Sequence, residues 1–281
     1  MTKRPGKGNQ KRAIRYLPIY GCISTGIIYI AVGVIAILSL LRIKHGGASE
    51  SSFLLSISDY TFGDVLVFLI LLGMLSYFAW RIYESIKDPY KYGSNWRGLG
   101  HRAGICLSSL ADALIAYSAL MVLLGLSEVS ESGRPQQQRE MISNMLQKSW
   151  GDWVVISLGV IVMGTALVQL LYGLRKGYRE RLDIAGYRKE WKKLIFLLAK
   201  IGYLCRGIIL GIIGFFFVKA GFTDNEQYVV NTDKAFNFIG DHVGKLPFAV
   251  VAVGTICYGL FMFAMGFTYD VDNDPTDPGY G

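Results

Sequence analysis

Gly21-Cys22-Ile23-Ser24-Thr25-Gly26-Ile27-Ile28-Tyr29-Ile30-Ala31-Val32-Gly33 and Gly202-Tyr203-Leu204-Cys205-Arg206-Gly207-Ile208-Ile209-Leu210-Gly211-Ile212-Ile213-Gly214 read as two copies of one apolar helix. Their glycines coincide at the first, sixth and thirteenth places. The same 181-residue shift carries Gly63 onto Gly244, Gly73 onto Gly254 and Tyr77 onto Tyr258. A second helix therefore repeats together with the first. A more diverged middle copy has Gly104 and Gly151 in the corresponding places. Repetition of a helix pair three times along a chain sets its architecture.

The 281 residues are 52% hydrophobic, and mean hydropathy is positive at +0.36. The apolar residues come in six long blocks, near 17–41, 62–86, 103–126, 151–174, 194–218 and 246–268. Each matches the ~20 helical residues that cross a ~30 Å hydrocarbon layer. Barrel strands would be about half as long and would alternate in polarity. Six such blocks in a water-soluble core would leave no solvent face. The expectation is an all-α integral membrane protein: six transmembrane helices, three tandem two-helix repeats and a pseudo-threefold arrangement. The first block is longer than a signal h-region and no small-residue cleavage site follows it, so it is expected to stay attached.

Charge gives the orientation. The stretch before Tyr16 and the connections after the second and fourth blocks hold 20 of the 29 Lys and Arg residues. The opposite side holds 8, and Arg206 lies within a helix. Basic residues collect on the cytoplasmic side of membrane proteins, which predicts cytoplasmic termini and a bacterial inner-membrane location. A pI near 9.2 also suits nucleic acid, but cations flanking membrane spans are already explained by anionic headgroups. No nucleic-acid partner is expected.

The predicted plan is a basic tail over 1–15, repeats over 16–90, 98–180 and 194–269, a basic connector over 181–193 and an acidic, disordered tail over 270–281. Each repeat carries a short apolar or amphipathic stretch between its helices: Phe53–Ile57, Met141–Leu146 and Ala235–Ile239. These predict a small helix lying at the outer surface in each copy. Asp88-Pro89 should end the second helix, because proline removes a helical donor. Tyr172 to Lys193 should extend a helix beyond the membrane and return along the headgroups. Asp270-Val271-Asp272-Asn273-Asp274 opens like a calcium loop. Pro275 and Gly281 stand where that loop needs glycine and glutamate, so no calcium is expected.

The returning helix of the first copy reads Phe62-Gly63, Gly73 and then Tyr77-x-x-Trp80-Arg81. With Cys205-Arg206-Gly207 in the third copy, this resembles the bacterial domain-of-unknown-function family numbered 1206, whose members carry three tandem two-helix copies. Thr25-Gly26 keeps only the glycine of the Arg-Gly pair, and Ser108-Ser109 keeps neither. The resemblance runs from about Tyr16 to Tyr269. It implies a bacterial inner-membrane protein of unassigned activity and supplies no catalytic residues. Mitochondrial solute carriers also have three two-helix repeats, but their Pro-x-acidic-x-x-basic signature is missing after Val34, Met121 and Phe217.

No nucleophile, phosphate loop or metal set can be assembled, so catalytic, cofactor and metal residues are all expected to be none. The four cysteines lie in apolar blocks without ligand spacing, and the three histidines are scattered. Polar groups inside the membrane remain as candidates, since each costs about 2.5–3.5 kcal/mol on insertion scales. Asp112 lies near the middle of the third block and Arg206 in the fifth. In repeat register Asp112 lies one turn farther outward, about 6 Å. Two arrangements follow: the two pair across the second and third repeats, or Arg206 snorkels to the headgroups while Asp112 bonds Ser108 or Ser109. Arg81 and Gln169 share a column, with Met262 in the third copy; they join Asp112 and Arg206 as intramembrane polar candidates, the alternative being interfacial anchoring beside Trp80 and Tyr83. Gly21, Gly26, Gly33, Gly202, Gly207, Gly211 and Gly214 read as close-packing positions.

The leading functional expectation is a non-enzymatic scaffold or accessory subunit working through partner membrane proteins or lipids. The second is a small transporter or channel using Asp112 and Arg206, because repeat interfaces near the midplane house substrate sites in transporters. A membrane enzyme is third.

Overall fold

A computed structural model describes residues 7–43, 47–88, 93–126, 136–182, 184 and 186–268. The start of the basic tail and the acidic tail lie outside them. The described residues are helical throughout: α1 (Lys7–Leu40), α2 (Glu50–Ser58), α3 (Gly63–Lys87), α4 (Trp96–Leu123), α5 (Gln136–Leu146), α6 (Gly151–Arg175), α7 (Lys189–Phe222), α8 (Thr232–His242) and α9 (Lys245–Phe267). Short 3₁₀ turns at Gly177–Arg181 and Glu226–Tyr228 complete the order.

Five helical stretches are long and apolar enough to cross a membrane: Tyr16–Leu40, Gly63–Lys87, Gly151–Arg175, Lys189–Phe222 and Lys245–Phe267. α4 is as long at 28 residues, but its apolar stretch covers only Asp112–Leu123. His101, Arg102, Ser108 and Ser109 dilute its first half. Among the described residues, length and composition thus support five spans where six are expected. At 1.5 Å per residue the 34 residues of α7 run about 50 Å, well beyond a hydrocarbon layer.

The expected extension of the fourth span past Tyr172 stops early. α6 ends at Arg175, and Lys176 turns left-handed with φ 59°. α3 ends in the same way at Asp88, φ 50°, its equivalent in the repeat.

The long helices pack in a closed circuit: α1 on α3, α3 on α4, α4 on α6, α6 on α7, α7 on α9 and α9 back on α1. The α4–α6 contact is the slightest of these. Two interfaces repeat residue for residue. A Cβ on Gly33 would lie 2.9 Å from the Ala252 carbonyl of α9, and one on Gly214 3.0 Å from the Gly159 carbonyl of α6. Gly26 faces Phe263 and Gly259, as Gly207 faces Leu170 and Ala166. Small residues let these backbones approach where no hydrophobic force drives helices together in lipid.

The short helices close one end of the circuit. Ser49, Asn95 and Asn231 cap α2, α4 and α8 by accepting hydrogen bonds from Ser52, Gly98 and Lys234 amides. Each copy is hooked to the next. The Ser51 hydroxyl donates to Ser118 Oγ of α4 at 3.2 Å. Arg139 of α5 donates to the Gln227 and Val229 carbonyls at 2.7 and 3.2 Å. Asp233 Oδ1 of α8 accepts from the Ala48 amide at 2.9 Å, and Thr232 donates to Glu50. We call this ring of contacts the clasp. At the other end Arg102 donates to the carbonyls of Ser85 and Ile86 at the end of α3, at 2.6 and 2.9 Å.

Exposed aromatics mark both ends: Tyr60, Trp150 and Trp153 by the clasp, Tyr16, Tyr20, Trp96, Tyr187 and Trp191 opposite. Such girdles sit at membrane–water interfaces. Between them the surface is apolar, with Leu66, Leu69, Leu72, Val160, Leu167, Leu197, Val250 and Val253 all exposed.

Candidate functional site: a buried charge column

Arg206 is only 5% exposed in the centre of α7. Gly202 and Gly207 flank it. A Cβ on Gly202 would lie 2.5 Å from the Tyr258 Cα, so the glycine brings α9 and its tyrosine against the guanidinium. Arg206 Nη1 donates to the Tyr258 hydroxyl. Its guanidinium carbon lies 4.6 Å from the Tyr29 ring centre and 4.7 Å from that of Tyr258. The two rings meet edge to face at 5.1 Å. Flat cation against aromatic faces suits arginine, whose charge is spread and weakly hydrated.

Asp112 of α4, 1% exposed, places Oδ1 3.6 Å from Arg206 Nη2. Of the two arrangements open in the sequence, the ion pair is the one the helices make. The repeat register explains the convergence. Thr25, Ser108 and Arg206 are equivalent, and one turn farther along so are Tyr29, Asp112 and Leu210. The third copy's arginine is met by the next-turn residues of both other copies.

One turn back along α4, Ser108 Oγ accepts from Arg81 Nη2 of α3 at 3.3 Å. Arg81 Nη1 lies 3.7 Å from Glu84 Oε2, and its guanidinium lies 5.2 Å from the Tyr77 ring centre. Arg81 thus turns inward. Gln169 does too, at 4% exposure. Both depart from the interfacial reading, because the circuit offers Arg81 a hydroxyl and a carboxylate inside. α4 therefore carries two rungs: Ser108 with Arg81, and Asp112 with Arg206.

On the clasp side of Arg206 lies a cavity of about 20 Å³, enough for one water, lined by Tyr29, Glu50, Arg206, Thr232, Thr255 and Tyr258, among others. Both Glu50 oxygens accept from the Thr232 hydroxyl, at 3.1 and 2.9 Å. Among the described residues, large side chains pack the centre. Met74, Phe261 and Met262 are fully buried, and Tyr77, Tyr203 and Tyr258 nearly so. Tyr203 packs against Tyr172, Tyr258 and Phe261 with ring centres 4.9 to 5.7 Å apart.

Sequence reasoning missed Tyr29, Tyr258, Glu50 and Glu84 as members of the column. Tyr29 shares a register position with Asp112, and Glu84 follows Arg81 by three residues, so both carried a signal. Glu50 carried none, since a glutamate opening a short helix is ordinary. Among the described residues, no group of three His, Cys, Asp or Glu is placed to hold a metal ion. The four cysteines are free thiols.

A thrice-repeated helix pair, with five long apolar helices around a buried ion pair, defines a multi-pass membrane protein with internal repeats. The profile of the family described as Domain of Unknown Function (DUF1206) matches residues 20–88, 103–176 and 201–269, and the chain belongs to that family. The chain is similar to an uncharacterized protein, YxxB, of Bacillus subtilis (strain 168), 27% identical over 248 residues that cover 88% of each chain. No solved structure matches it significantly.

Proposed function

We propose that this chain is a closed membrane scaffold or accessory subunit that acts through partner proteins or lipids and performs no chemistry of its own. The observation that carries the reading is the filled centre. Tyrosine, phenylalanine and methionine side chains pack between the helices, and the cavity holds about one water and ends at Arg206. The two central charges face each other, and a neutralised pair in a packed core is a poor place for a passing solute. In this reading α4 completes a sixth span, its charges turned into the circuit. The three pairs then form a pseudo-threefold ring, supported by the matching glycine contacts of α1–α9 and α7–α6. The uneven distribution of Lys and Arg supports cytoplasmic termini in a bacterial cytoplasmic membrane, with the clasp outside.

The second reading is transport, favoured by the cavity that reaches one member of the Asp112–Arg206 pair. Proteoliposomes decide between them. A scaffold leaves the permeability of vesicles to protons, monovalent ions and small neutral solutes at the level of empty lipid. A flux that needs this chain and disappears in Asp112→Asn would overturn the scaffold reading.

A further inference from the structure

We propose that Glu50 is a proton-binding site at the clasp end, and that its charge state is passed to the Arg206–Asp112 pair through one water in the cavity between them. This goes beyond the scaffold reading and holds with or without partners.

Glu50 stands where the first and third copies meet. It opens α2 of the first copy, takes its hydrogen bonds from Thr232 of the third, and forms the wall of the cavity opposite Arg206. Its residue is half-buried, so part of it meets solvent at the clasp end while its carboxylate turns to Thr232. Arg206, 5% exposed, lines the cavity with Nε and Nη2 making no hydrogen bond. A water there would have Glu50, Thr232, Arg206, Tyr29 and Tyr258 among the residues that line its cavity. Two to four polar partners are what a buried water requires.

Among the described residues, the groups facing Glu50 are few. α8 gives the Thr232 hydroxyl, α7 gives Arg206, α1 and α9 give Tyr29 and Tyr258, and Asp112 of α4 stands behind Arg206. Asp233, next to Thr232, is engaged with the Ala48 amide and the Asn237 side chain. Burial pushes the Glu50 carboxyl above the usual carboxylate range, while its own backbone amide, Thr232 and Arg206 draw it partly back. Uptake moves a single proton from hydronium to a Glu50 carboxylate oxygen: one O–H bond breaks, one forms, and water is released. Neutral Glu50 no longer attracts Arg206, which leaves the guanidinium to Asp112 alone.

The test is pH-difference infrared spectroscopy of the full chain in lipid nanodiscs, where both faces meet the buffer. Acidification should raise a protonated-carboxyl carbonyl band, and Glu50→Gln should remove one component of it. Asp112→Asn frees Arg206 to favour ionised Glu50 and should shift the midpoint of that band to lower pH. Arg206→Gln removes the cation and should shift it to higher pH. A band whose amplitude is unchanged in Glu50→Gln overturns the site. A midpoint unmoved in Asp112→Asn overturns the link, and that variant keeps the size of the side chain should Arg206→Gln fail to fold.

Discussion

Arg206 and Asp112 lie about where one arginine or one aspartate alone would be most costly. Their pairing offsets the desolvation of both, so a buried pair of this kind is weak evidence for stability and strong evidence for mutual dependence. Asp112→Leu should cost about 3–5 kcal/mol, because it leaves the guanidinium without its counter-ion. Arg206→Leu should cost a similar amount. The double variant should lose clearly less than the sum of the two, and reversible unfolding in mixed micelles reads this coupling. Equal additivity would mean that the pair carries no energy of its own.

The clasp gives a pH prediction. Burial raises the Asp233 carboxyl above its ordinary value, against the lowering by the Ala48 amide, Lys234 and Asn237. A carboxyl raised on folding favours the folded state in its protonated form. Its contribution is full below the unfolded value near 3.9 and fades as pH climbs through the raised one. Thermal midpoints should therefore fall as pH rises from about 4 through the raised Asp233 value. Asp233→Asn, whose amide oxygen can still accept from Ala48, should flatten that slope. A slope unchanged in Asp233→Asn would show that other groups set it.

At the scale of elements, the glycines decide how closely helices pass. Gly202→Ala would bring a Cβ to 2.5 Å from the Tyr258 Cα, which is backbone and cannot turn aside. Overpacking of this kind costs about 1–3 kcal/mol, and here it also moves a tyrosine off Arg206. Gly164 of α6 has nothing within 4 Å of the same position. Gly164→Ala should be neutral or gain about 0.5–1 kcal/mol from helix propensity. The two alanine variants, compared by thermal unfolding, separate packing glycines from incidental ones.

Much of this was legible before any coordinates. Equal shifts between glycines reveal copies because glycine is kept where a backbone must touch another. The turn glycines Gly63 and Gly151 show it most directly. A Cβ at either would lie 1.8 Å from a carbonyl, Ile57 or Met145. The apolar stretches at Phe53–Ile57, Met141–Leu146 and Ala235–Ile239 do sit on helices α2, α5 and α8. α4 was harder to read. Its polar residues weaken the hydropathy signal, and what they face depends on α3 and α7, which no local pattern encodes. The two readings of Arg81 and Gln169 stayed open for the same reason: a polar residue near a helix end looks alike whether it turns to lipid headgroups or to a buried serine.

For the whole molecule, the circuit and the clasp make one account. Six helices close on themselves, three short helices lock one end, and each lock joins a different pair of copies. Arg139→Ala removes the bonds to Gln227 and Val229 and should open the second copy's part of the clasp. Amide hydrogen exchange in α5 should rise about tenfold or more for a loss near 1.4 kcal/mol, while α2 and α8 stay protected. Uniform loosening of all three would mean that the clasp acts as one body.

The central claim is that this closed assembly works through what binds it. Native mass spectrometry of the full chain, released from its own membranes in a mild detergent, tests that claim most directly. The account predicts a defined heavier complex, with added protein subunits or stoichiometric lipid. A chain that flies alone and bare, under conditions that keep other membrane complexes whole, would contradict it.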